Sequence, residues 1–112
     1  MANFYKNAFY DPTVTTETVV YTCPSNANAI IQNIQLTNTS GSKNVDAYIT
    51  DATAGDTYLI AHAAISGPTI CNLAKGPIVL EENDTISLES SDVSGISATL
   101  AILEINREDT NG

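Results

Sequence analysis

Every proline and every glycine but the terminal Gly112 in this 112-residue chain falls between stretches that read as β-strands, and none falls inside one. Strand interiors tolerate neither residue well, so this punctuation, at intervals of about ten residues, divides the chain into short extended segments. No segment offers the 3.6-residue period of a helix longer than two turns. The pattern predicts one all-β domain, an antiparallel sandwich of about eight strands with a jelly-roll or Ig-like arrangement.

The longest strand signal is NAIIQNIQLTN, Asn28 to Asn38, followed by the turn Thr39-Ser40-Gly41-Ser42. Ile30, Ile34 and Leu36 share one parity, and Asn33, Gln35 and Thr37 share the other with Ile31. The expectation is a central strand with an apolar face toward the core and a polar face toward solvent or a neighbouring subunit. Val45, Ala47 and Ile49 alternate in the next segment, which predicts a hairpin with the first. Ile78 to Leu80 and the Ile86, Leu88 segment suggest a second hairpin through the acidic turn Glu81-Glu82-Asn83-Asp84.

The run TYLIAHAAI, Thr57 to Ile65, is apolar on both parities, as in a strand that meets water on neither face. It belongs in the centre of a sheet or in a subunit interface, with Tyr58, Ile60 and His62 as contact candidates. Residues 1–15 read as an aromatic arm, because Phe4, Tyr5, Phe9 and Tyr10 make up four of the seven aromatics. A terminus with that apolar load docks on its own sheet or on a neighbour. The sandwich itself is expected over residues 16–106, and residues 107–112 as a flexible tail.

Charge narrows the partners. Thirteen acids face four Lys and Arg residues, for a net charge of −9. That balance argues against nucleic acid and against anionic membranes. The first residues, MANFYKNAFYDP, lack the apolar core of an export signal, which suggests folding in a cytoplasm. Cys23 and Cys71 are then expected as reduced thiols acting as small apolar residues.

Reactive chemistry is sparse. His62 is the lone histidine, lies in the most apolar segment, and reads as a hydrogen-bonded core or interface side chain rather than a base. Zinc-ligand spacings are missing. Glu81, Glu82, Asp84, Glu89 and Asp92 crowd together without the internal glycine of a calcium loop, so a solvated acidic turn is expected. No cofactor, metal or catalytic residue is assigned, and the chain is expected not to be an enzyme.

Three segments, VVYTCPSNANAIIQNIQLTNTSGS, GPIVLEENDTISLES and ATLAILEI, together resemble small virion proteins of tailed bacteriophages, particularly those of marine cyanobacteria. The resemblance spans roughly residues 16 to 105. It implies a structural protein of the particle, present in many copies, and most specifically a capsid decoration protein bound to the major capsid lattice. A neck, tail, baseplate or fibre component, with or without a receptor-binding role, is the alternative. It further implies self-association, with a trimer favoured, and contact with other virion proteins.

Overall fold

The computed structural model describes residues 2–106, all of them β-strand or connection. The residues expected to form the tail, 107–112, lie outside the described residues. In chain order the strands are β1 (Ala2–Tyr10), β2 (Thr18–Thr22), β3 (Ala27–Asn38), β4 (Ser42–Asp51), β5 (Asp56–Ser66), β6 (Thr69–Asn72), β7 (Ile78–Leu80), β8 (Thr85–Ser90) and β9 (Ile96–Asn106). One sheet has the order β1-β9-β3-β6, with β7 sharing the β6 side of β3, and the other has the order β2-β8-β4-β5.

These orders arise from one long antiparallel hairpin wound up on itself. Ala2 pairs with Asn106 and Tyr10 with Ala98; Thr18 pairs with Leu88; Gln35 pairs with Asn72; Ser42 pairs with Ser66 and Asp51 with Asp56. The partners converge steadily on the turn at 52–55. Such nesting across two four-lane sheets is the jelly-roll arrangement, which decides between the two sandwiches expected. β3 is central, as its periodicity suggests.

Both expected hairpins are corrected. β3 and β4 lie in different sheets, so the Thr39–Gly41 turn carries the chain across the sandwich instead of folding it back within one sheet. β7 pairs with β3 and β8 with β2 and β4, so the acidic turn is a second crossing. The tight hairpin of the chain is β4–β5, closed by Gly55 N–H to Asp51 O at 2.7 Å with Gly55 at φ +78°.

A bulge in β3 between Ile31 and Asn33 corrects the predicted faces. Ala27, Ala29 and Ile31 point into the core, and after the bulge Ile34, Leu36 and Asn38 do so. An extra residue shifts the two-residue period by one, so Ile30 lies on the outer face with Asn33, Gln35 and Thr37. The core between the sheets is built from these residues with Val45, Leu80, Ile86, Leu88, Leu100 and Ile102.

The aromatic segment is an integral strand rather than an arm. Because side chains alternate, each aromatic pair is split: Phe4 and Tyr10 share the inward parity, with Phe4 still 47% exposed, and Tyr5 and Phe9 point out. Tyr10 is 3% exposed and belongs to the core, so it is no surface contact. Burial pushes its hydroxyl above the ordinary tyrosine range.

Candidate assembly surfaces

The register of the first sheet places Tyr5 beside Leu103, Leu103 beside Ile30 and Ile30 beside Val79. An apolar belt thereby crosses all four lanes on the outer face. Its ends are open to solvent, with Tyr5 80% and Val79 59% exposed. Phe9, 71% exposed, continues the aromatic edge on β1 and stands beside Thr99, which is paired in turn with Gln35 and so with Asn72. Thr37 pairs with the exposed Ile70.

No Asp, Glu, Lys or Arg side chain points out from these strands among the described residues. Lys6 and Glu104 share the inward parity of β1 and β9; Lys6 stays 48% exposed at the sheet edge, with its Nζ 3.1 Å from the buried Glu104 Oε1. In a chain with net charge −9, a charge-free sheet face with exposed aromatics is the surface least costly to desolvate. Asn33, Gln35 and Thr37 supply neutral donors and acceptors there. Leu103, Ile30 and Val79 were not singled out from the sequence, because the bulge that turns Ile30 outward leaves no sign in the alternation.

The other sheet presents a different outer face. Thr22, Thr85, Thr50 and Thr57 form one row across its four strands, and Thr50 Oγ1 and Thr57 Oγ1 are 2.8 Å apart. The next row runs from the exposed Val19 through Ser87 and Tyr48 to the exposed Leu59. Beyond it stand Glu89, Asp46 and His62 in register. Tyr48 Oη donates to Glu89 Oε1 at 2.7 Å, and this hydrogen bond to a carboxylate is the main reason its pKa is pushed up to about 12.

His62, expected as a hydrogen-bonded core or interface side chain, does not lie in the core. Its side chain is exposed on this outer face, with Nδ1 against Asp46 Oδ1. The strand that carries it, β5, is the outermost strand of its sheet rather than a central one, and Tyr58, Leu59 and Ile60 are all exposed. The expected acidic cluster is also divided. Asp84 is buried at one end of β8, Glu89 lies in the strand, and Asp92 follows at the other end. Among the described residues, no three of His, Cys, Asp and Glu converge as metal ligands would.

Asp84 holds the first of these ends together. Its Oδ1 accepts Ala52 N–H at 3.0 Å and its Oδ2 accepts Glu81 N–H at 2.9 Å, tying the hairpin apex to the acidic turn. Cys23 N–H donates to Asp84 O at 2.9 Å and Asn83 N–H to Cys23 O at 2.8 Å. The YTCPSN and LEEND segments of the phage-like resemblance are therefore neighbours in space, and their residues serve the backbone. Cys23 donates its thiol to Ala27 O at 3.5 Å, and neither cysteine is in a disulfide.

No family model and no curated protein matches the chain. Among solved structures, it is similar to a chain in the structure of infectious bursal disease virus Gx strain, with 9% identity and a TM-score of 0.45 over 98% of this chain and 32% of that one. The present chain thus spans about a third of that protein's length. It is also similar to a chain of the virus-like particle of extra small virus from the giant freshwater prawn Macrobrachium rosenbergii, with 15% identity, a TM-score of 0.34, and coverage of 97% and 82%. Likenesses this loose say nothing of what the present chain binds.

Proposed function

We propose that this chain is a non-enzymatic structural protein of a virus particle, and specifically a decoration protein of a tailed phage that seats on the capsid lattice. The observation that carries the reading is the charge-free outer face of the β1-β9-β3-β6 sheet, crossed by the Tyr5, Leu103, Ile30, Val79 belt. Contiguous exposed apolar surface on a soluble domain marks a place where another protein sits. Interfaces concentrate aromatic residues at their centre and exclude charge from it. The resemblance of the three sequence segments to phage virion proteins supplies the particle, and the face supplies the means of attachment.

Mass spectrometry of purified particles tests this through copy number. A decoration protein is expected on the order of hundreds of copies per head, as lattice symmetry requires. A Tyr5→Ser, Phe9→Ser variant should fold as the parent does and no longer attach to heads lacking the native chain. Copies in the tens or fewer, found in neck or tail, would exclude decoration. An unimpaired attachment of the double variant would remove this face from the account.

A further inference from the structure

We propose that two copies of this chain join edge to edge through β5, antiparallel about a two-fold axis, so that the β2-β8-β4-β5 sheet continues into the same sheet of a second copy. The proposal stands whether or not the chain is part of a virus particle, because it rests on the edge alone.

β5 is paired on one side by β4 and on the other by no strand among the described residues. An edge strand presents a row of unused N–H and C=O groups, and soluble proteins block such rows with charge, proline, bulges or brevity. The other edges carry those devices. β2 is five residues long and bulged; the β6 and β7 lane is interrupted by Gly76-Pro77; β1 carries the half-exposed Lys6. From Thr57 to Ile65, β5 contains no proline, glycine, lysine, arginine or carboxylate, and its one irregularity is a bulge opposite Ala47 and Tyr48.

The occupant has to be a strand, since only a strand meets that row of backbone groups in register. Side-chain size selects a second copy. Tyr58 and Leu59 fill one half of β5, while Ala61, Ala63 and Ala64 leave the other half low around His62. The bulge at Ile60 leaves Tyr58 and Ala63 on the inner face and Leu59 and His62 on the outer one, so face-matched antiparallel pairing centred on Ala61 sets Tyr58 against Ala63 of the partner subunit and Leu59 against His62 of the partner subunit. Tyr58 thus meets a hollow once from each subunit, as a two-fold interface requires. Beside the alanines there is already a hollow of about 310 Å³, walled by Ala61, Ala63, Ile65, Cys71 and Leu73.

Charge selects the same direction. Asp51 and Asp56 stand at one end of the β4–β5 hairpin, and Ser42 and Ser66 at the other. Antiparallel copies bring the acidic end of one beside the Ser42 and Ser66 end of the other, where Lys43 lies. Parallel copies would stack the aspartates and oppose bulk to bulk.

Sedimentation velocity and hydrogen exchange on the wild-type chain across a concentration series test the pairing. A dimer is expected, with β5 amides slowing by about tenfold or more as it forms, because exchange then requires the pair to open. Amides of β1 and β6 should keep their rates. A Leu59→Lys, Ala64→Lys variant should sediment as a monomer. A wild-type monomer at every concentration would overturn the proposal, as would a dimer whose β5 amides exchange unchanged. Loss of head attachment by the face variant with β5 protection intact would separate the two surfaces.

Discussion

Tyr21 on β2 donates its hydroxyl to Glu104 on β9 at 2.5 Å, a hydrogen bond that joins the two sheets where the core reaches its edge. Glu104 is 4% exposed, and its second oxygen faces Lys6 Nζ at 3.1 Å. A carboxylate buried this deeply persists only because both oxygens are met by a donor or a cation. The bulge between Val19 and Tyr21 turns Tyr21 inward, and the unbroken alternation of β9 does the same for Glu104.

Removing the hydroxyl tests this link. Tyr21→Phe is expected to lower stability by about 1–3 kcal/mol, the usual cost of leaving a buried group without its partner. Urea unfolding measures it. Burial first, and the adjacent Glu104 second, raise the Tyr21 pKa above its ordinary 10.0. In that situation the folded state keeps its proton where the unfolded state loses it. The contribution is complete below pH 10 and declines as the pH rises beyond it. Wild-type stability should therefore fall above about pH 10 more steeply than that of Tyr21→Phe.

At the opposite end a lysine is buried with no carboxylate within ion-pair distance among the described residues. Lys43, 5% exposed, donates to Asn38 Oδ1 at 2.8 Å and to Ser40 O, while Asn38 Nδ2 donates to Gly41 O at 2.9 Å. Asn38→Ala leaves the ammonium short of an acceptor and the turn short of a donor. It should cost about 2–4 kcal/mol, and more than Lys43→Met, which removes the charge and its demand together. Thermal unfolding of the two variants ranks them.

Gly95 and Gly55 share a left-handed backbone, at φ +75° and +78°, but differ in surroundings. A Cβ on Gly95 would lie 2.8 Å from Thr39 Oγ1 and 2.9 Å from Lys43 Nζ, whereas one on Gly55 meets open space. Gly55→Ala should cost about 1 kcal/mol, from backbone conformation alone. Gly95→Ala should cost more, because it also displaces the lysine and the Thr39 hydroxyl. Chemical denaturation of both variants gives the difference directly.

Strand segmentation, turn positions and the central place of β3 were legible in the residues. Alternation and Gly/Pro punctuation are local, and each strand must satisfy them wherever it goes. The two expected hairpins failed for a related reason. Ser40-Gly41 and Asn83-Asp84 state that the chain reverses, and they do not state whether it returns within a sheet or crosses to the facing one. The fate of the apolar TYLIAHAAI run was equally unreadable, since two apolar faces suit a central strand and an open edge alike.

By itself the sequence determined that this is an all-β domain of net charge −9 with few cations. Periodicity and composition act on each residue without reference to distant ones. Only the tertiary structure decided that the pairing nests into a jelly-roll, that Ile30 turns outward past a bulge, and that charge leaves one sheet face entirely. Those outcomes depend on pairings such as Ala2 with Asn106, between residues at opposite ends of the described chain. Long-range register is set by how two sheets close over a common core, and no local signal encodes it.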